Sequence, residues 1–259
     1  MESVVDIYLY LIIYSFLGWL CESIYCSVLD RRIQNRGFLN GPFCPVYGFG
    51  ALITLKGLQF FNKNKIIVFI GGMILTSVLE YITSYLMEKL FHAKWWDYSG
   101  RKFNINGRVC LLNSTLFGLM CVCLEFYVHP VVVDFLSVFS LEFKLGFMSA
   151  FFIYFVIDFS VTVWSVLGLN TRLATLQEIK SQLIIKYDNF NNESKYSKIS
   201  EFIKLNNLNE ELIHKFNEKI RIGNIFQKRI IKAFPNIKSK KYNDIMKELK
   251  AVIRERKLK

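Results

Sequence analysis

Apolar residues gather into five runs, approximately 4–28, 44–61, 66–87, 110–128 and 145–169, separated by shorter polar stretches. A helix needs roughly 17 to 25 residues to cross a hydrocarbon core, so each run is long enough or nearly so. The pattern predicts an all-α, polytopic integral membrane bundle of about five transmembrane helices. The second run is counted among the five but is the shortest, and Pro42, Pro45, Gly48 and Gly50, which crowd its start, could make it partly broken or re-entrant. Residues 131–139 are apolar but too few to span, and Pro130 is expected to end the fourth helix and leave them at the interface.

Beyond Leu169 the hydropathy falls, which sets a transmembrane domain (1–169) apart from a cytosolic helical tail (170–259). Leu173, Leu176, Leu183 and Tyr187 recur at mostly helical spacing, as if the fifth helix ran on into the cytosol. Residues 188–194, DNFNNES, read as a polar linker. Phe202, Ile203, Leu208, Leu212, Ile213, Phe216 and Ile220 predict an amphipathic helix, and Ile225, Phe226, Ile230 and Phe234 a second short apolar series. After Pro235, Ser239 can cap a last helix whose apolar face is Tyr242, Ile245, Met246, Leu249, Val252 and Ile253.

Ionisable groups inside a spanning helix cost about 2.5 to 3.5 kcal/mol each at its centre, so those present call for a reason. They are Glu22, Glu80, Glu125 and Asp158. Thr76, Ser77, Glu80, Ser84 and Glu88 form one polar stripe at helical spacing, and Tyr154, Asp158, Thr162 and Ser165 another. Both stripes are expected to face the bundle interior. Glu22, Glu80 and Asp158 are the candidate cavity or transport residues, lining a polar interior able to take a cation, a proton or a cationic or polar substrate. The plainer alternative is that Glu22 and Glu80 pair with Arg36 or Arg108 and only fasten loops to helices. Glu125, near the outer end of its run, is expected to be solvated.

Charge sharpens the division. Of 33 Lys and Arg, 12 precede Asn170 and 21 follow it, whereas the 21 Asp and Glu split 11 and 10, so the first part carries +1 and the tail +11. Arg31, Arg32 and Arg36 in residues 29–43, and Lys89, Lys94, Arg101, Lys102 and Arg108 in residues 88–109, outnumber Lys63, Lys65 and Lys144 in the alternate loops. The positive-inside rule then places the N-terminus outside and the tail in the cytoplasm of a multi-pass bacterial cytoplasmic-membrane protein. The first residues show no basic leader and no cleavage site, so the first helix is expected to stay. The six cysteines form no CxxC pair and none stands with a histidine at zinc-finger spacing, which points to free thiols, no metal and no cofactor.

The polar stretch 91–110, FHAKWWDYSGRKFNINGRVC, is the densest in chemistry. Trp95 and Trp96 are of the type that anchors at headgroup depth. Asp97 and Arg108, with Arg36, are the candidate gating or tethering residues on that side. His92, Asp97 and Cys110 would serve an interfacial membrane enzyme, but their spacing matches no catalytic signature, and no glycine is followed by lysine, which excludes a Walker A nucleotide loop. No catalytic residue is therefore assigned.

Four stretches in fixed order, FLGWLCESIY (16–25), RGFLNGPFCPVYGFGA (36–51), EYITSYLMEKLFHAKWWDYS (80–99) and NINGRVCLLNSTLFG (104–118), resemble the putative ABC-transporter type IV family of bacterial membrane proteins. The resemblance implies a permease-like protein, and its motif positions here include Trp19, Glu22, Arg36, Asn40, Gly41, Glu80, Trp95, Asp97, Gly107 and Arg108. Lys94 stands where the family often has Arg, which would weaken a planar bidentate role. The expected function is a permease-like membrane transport component with the lipid bilayer as its surroundings, and a separate ATPase chain as its energy source if ATP drives it. The alternative is a membrane scaffold or sensor recruiting a partner through the basic tail. The apolar faces of the tail argue for packing and against nucleic acid. The sequence permits a homo-oligomer.

Overall fold

The computed structural model describes residues 3–29, 31, 33–61, 64–193, 210, 212, 214–216, 218–220 and 224–255. Helices dominate, and four are long and apolar enough to cross a membrane, covering Val4–Val28, Lys65–Phe91, Leu111–Ser137 and Leu141–Gln182. The protein is a multi-pass membrane protein. Along α3 (Lys65–Phe91), Ile66, Ile70, Ile74, Val78 and Ile82 are exposed at four-residue intervals, a stripe that suits lipid.

The second apolar run differs from a full crossing. It forms α2 (Pro45–Gly57), 13 residues or about 20 Å long, followed by a short 3-10 turn at Gln59–Phe61. Cys44 N–H donates to the carbonyl of Ser15, in the middle of α1 (Val4–Leu29), at 2.9 Å. The end of α1 lies 14 residues past Ser15, so the intervening loop travels roughly 20 Å back into the bilayer before α2 begins. From there α2 packs alongside α1, with Ala51 and Leu55 in one core with Leu9 and Ile12. The Pro and Gly residues that marked this run in the sequence lie at this break.

The fourth run also departs from expectation. Pro130 does not end the helix: α4 (Leu111–Cys123) passes through a π-turn at Leu124–Val128 into α5 (His129–Ser137), and the whole makes one 27-residue span. The wider turn precedes a proline, which has no N–H to give to the preceding turn and whose ring needs room there. Residues 131–137 therefore belong to the span. Tyr14 Oη lies 2.6 Å from His129 Nδ1, which ties α1 to α5, and at the same end Lys144 pairs with Asp6 at 2.8 Å.

The last long helix, α6 (Leu141–Glu193), runs for 53 residues without a break, so residues 188–193 are helical rather than a linker. Its extension carries Leu173 and Leu176, both fully buried, as their spacing predicted. Much of the predicted helix at 202–220 lies outside the described residues; within it, Ile220 is buried and Phe216 packs beside it. Next come α7 (Ile225–Ala233), a two-residue strand β4 (Lys238–Ser239) and α8 (Asn243–Glu255). As expected, Ser239 Oγ accepts the Tyr242 N–H at 3.1 Å, and Ile245, Met246 and Leu249 are buried.

The tail folds back onto the helix ends. β4 pairs antiparallel with β1 (Ala93–Lys94), Ala93 opposite Ser239 and Lys94 opposite Lys238. Trp95, Phe91, Leu173, Leu176, Ile230, Ile237, Ile245 and Leu249 close one core between the tail and the ends of α3 and α6. A second small hairpin, β2 (Asn104–Ile105) with β3 (Val109–Cys110), turns through Asn106 and Gly107, both at positive φ, the geometry that favours an Asn-Gly pair.

Candidate functional site

The loop before α2 is irregular backbone at membrane depth, which is tolerated only where protein or water satisfies its polar groups. Side chains from three elements do so. From α1, Ser27 Oγ accepts the Gln34 N–H and Ser23 Oγ the Arg36 N–H. From α6, Asp158 accepts the Asn40 N–H at 2.9 Å and the Gly41 N–H at 2.8 Å, one on each oxygen. From α7, Arg229 donates to the Phe38 carbonyl at 2.7 Å. A Cβ at Gly41 would lie 1.7 Å from the Tyr154 hydroxyl oxygen and 3.1 Å from Asp158 Oδ2, so any other residue here would have to displace Tyr154.

Asp158 is thereby placed as the anchor of this loop. Its carboxylate also accepts from Tyr154 at 3.4 Å and Thr162 at 3.3 Å, and Asn40 Nδ2 reaches Thr162 Oγ1 at 2.8 Å. Of the predicted stripe, Asp158, Thr162 and Ser165 are buried, as the spacing predicted, whereas Tyr154 is 38% exposed. Both Asp158 oxygens are engaged, so this acid is not left open in the way Glu80 is.

Glu22 and Glu80 form a separate group at the start of α2. Glu22 lies 3.7 Å from the Arg36 guanidinium, accepts from the Tyr47 hydroxyl and has the Cys44 thiol 3.9 Å away. Glu80, on α3, interacts electrostatically with Glu22 and accepts from the Tyr98 hydroxyl at 3.2 Å through Oε1. Its other oxygen, Oε2, is buried with no hydrogen-bond partner among the described residues, and the residue as a whole is 8% exposed. Two acids, two tyrosines and one arginine thus meet beside the N-terminal turn of a half-helix, whose unsatisfied N–H groups carry partial positive charge. Burial and the neighbouring Glu80 push the Tyr98 hydroxyl up, so it stays a donor.

Of the pairings weighed for Glu22 and Glu80, only Glu22 with Arg36 is present among the described residues. Arg108 binds Glu88 at 2.7 Å instead, close to the rings of Tyr81 and Tyr85, and Lys240 reaches the same carboxylate at 2.5 Å. Arg36 also donates to Cys26 Sγ at 3.0 Å and to the carbonyl of Ala233 in the tail. Asp97 meets neither Arg36 nor Arg108: it takes Lys94 at 2.9 Å and Lys238 at 2.8 Å. Hydrogen bonds from Lys238, Ser99 and Lys94 hold its carboxyl well below the usual carboxylate range. These contacts tether the tail to the membrane domain.

The tryptophans also sit differently from lipid-facing anchors. Trp95 is 2% exposed, with its ring against Phe38, Phe91 and Phe234, because the tail covers it. Trp96 is partly buried and donates to the Arg108 carbonyl at 2.9 Å. Among the enzyme candidates, His92 is an exposed helix cap at positive φ, whereas Cys110 is 1% exposed in β3. Glu125, expected to be solvated, lies in the π-turn with Oε2 buried and unpartnered.

Tyr47 and Tyr98 fall among the motif positions of the family resemblance, but sequence reasoning did not place them beside Glu22 and Glu80. The signal available was the recurrence of tyrosine and charge beside the Pro and Gly breakers, a weak one. It also missed Arg229, since a guanidinium serving backbone carbonyls leaves no mark at those positions.

Residues 9–163 match a family model described as "Putative ABC-transporter type IV". No curated protein and no solved structure matches the chain.

Proposed function

The protein belongs to the putative ABC-transporter type IV family, since the match spans residues 9–163 of 259, and from that membership we propose that it is a permease-type transport component handling a positively charged species at Glu22 and Glu80. The observation that carries the reading is Glu80 Oε2, a buried carboxylate oxygen with no hydrogen-bond partner among the described residues, facing the field of a second acid. A buried carboxyl left in that state is costly unless a proton or a cationic group completes it. Discontinuous helices that meet near the bilayer midplane are a recurrent way to build transport sites. The break before α2 supplies such a place, and Asp158 holds it in shape.

In this reading the tail lies in the cytoplasm, as the loop charges require, and Arg36 joins the acid pair to it through Glu22 on one side and the Ala233 carbonyl on the other. If ATP drives the cycle, the ATPase is a separate chain meeting this side. The test is uptake of protons and of rubidium ion into proteoliposomes containing the full chain. Glu80→Gln keeps the shape and the Tyr98 contact but removes the charge, and is expected to lower flux at least tenfold. Unchanged flux of both ions in Glu80→Gln and Glu22→Gln, from a wild type that conducts, refutes the assignment.

A further inference from the structure

On the tail side, outside the acid pair, a cavity of about 290 Å³ opens between the first residues of the re-entrant loop and α7. Ile33, Gln34 and Asn35 line one wall and Ile225, Lys228, Arg229, Lys232 and Ala233 the other. Ile225, Lys228, Arg229 and Lys232 stand at i, i+3, i+4 and i+7, so one face of α7 turns to the cavity while Gln227, Ile230 and Ile231 on the other are buried. The wall contains three cations and, among the described residues, no acid. Among the described residues, neither the Lys228 nor the Lys232 side chain has a hydrogen-bond or ion-pair partner.

The rim is apolar. Ile33 is 99% exposed and Ile225 79%, and Ile24 and Val28 near the end of α1 are exposed too. Val28 lies in a spanning segment and Ile33 five residues beyond it, so the cavity sits where hydrocarbon gives way to headgroups. An isoleucine exposed this far gains nothing in water and is favourably placed against acyl chains. Arg229 is fixed by its bonds to the loop carbonyls, while its buried Nε has no partner.

We propose that this cavity binds the phosphate of an anionic phospholipid, with Lys228 and Lys232 on the headgroup, Arg229 behind them, and Ile33 and Ile225 on the acyl chains. A free oxyanion offers the same charge, but it would not use the isoleucine rim. Because Arg229 also holds the Phe38 carbonyl, the bound headgroup is joined to the deeper part of the re-entrant loop through this residue, beside the direct wall of Ile33, Gln34 and Asn35.

The test uses the full chain in non-ionic detergent, with binding of phosphatidylglycerol and phosphatidylcholine read by native mass spectrometry. One saturable phosphatidylglycerol is expected, with phosphatidylcholine much weaker. Each basic residue near an anionic lipid contributes about fivefold, so Lys228→Gln with Lys232→Gln is expected to raise the phosphatidylglycerol dissociation constant about 25-fold. Lys247→Gln, whose ammonium pairs with Asp244 on α8, is expected to leave it unchanged and controls for general charge loss. On the cavity face of α7 Lys228 is half-buried and Lys232 exposed, and unchanged melting temperatures check that the variants fold. Equal binding of the two lipids, or no effect of the double substitution, overturns the proposal. Competition by inorganic phosphate at equal potency also overturns it, by assigning the cavity to a free oxyanion.

Discussion

Replacing Asp158 by asparagine should loosen the re-entrant loop without disturbing the helix that carries it. The carboxylate accepts two backbone N–H groups, from Asn40 at 2.9 Å and Gly41 at 2.8 Å, on different oxygens. An amide can present its oxygen to one of them only, and its NH₂ then faces the other donor. A hydrogen bond to a charged group contributes about 1.5–3 kcal/mol, and a buried N–H left unsatisfied costs about 1–3 kcal/mol. Because Tyr154 and Thr162 remain near, the lower part of that range applies, and the loop should lose about 2–3 kcal/mol. The readout is Cys44, 4% exposed and next to the helix break, in a chain whose other five cysteines are replaced by serine or alanine. If the thiol reacts through local opening, its labelling by a small maleimide follows the population of the open loop, so this loss corresponds to an increase of about 30- to 150-fold. Asp158→Glu, which keeps two acceptor oxygens, should fall between. Wild-type labelling in Asp158→Asn would show that the carboxylate does not hold the loop.

Two further outcomes concern the tail. Asp97 is held below its ordinary range by Lys238, Ser99 and Lys94, so its stabilising effect is fully present above the unfolded value near about 3.9 and is lost as pH falls through the depressed folded value; protease cleavage of the tail should be equal in wild type and Asp97→Asn only at the acid end, with the variant weaker by about 1 kcal/mol at neutral pH. Gly107→Ala should lower thermal stability by about 1–2 kcal/mol, because the position has φ +66° and a Cβ there would lie 2.7 Å from Asp97 Oδ1; an unchanged melting temperature would show that the hairpin relaxes freely.

The spans were legible because lipid exposure imposes continuous apolar runs on the chain, and the exposed stripe of α3 shows what those runs meet. The break before α2 was legible in Pro42, Pro45 and the nearby glycines, since these residues mark where regular backbone stops. Pro130 misled for the same reason: the sequence displays the missing N–H but not the π-turn that makes room for it. Asp158 was recognised as inward-facing from its period, yet its role was hidden, since its partners are backbone N–H groups that any sequence supplies. The docking of the tail on Trp95 was equally hidden. A ladder of two residues joins positions 93 and 239, and no local pattern announces so distant a pair. Asp97 and Arg108 were singled out as candidate gating or tethering residues, but their partners were hidden: Asp97 takes Lys94 and Lys238, and Arg108 takes Glu88.

The unbroken α6 has a mechanical consequence. It carries the loop anchor at Asp158 and, 18 residues on, the buried Leu176 that seats the tail, about 27 Å apart along one rod. A pivot of about 5° around Asp158 displaces the Leu176 seat by about 2 Å, since a continuous helix does not absorb the angle between them. The helix therefore works as a lever, converting a tilt inside the bilayer into a shift of the folded tail outside it.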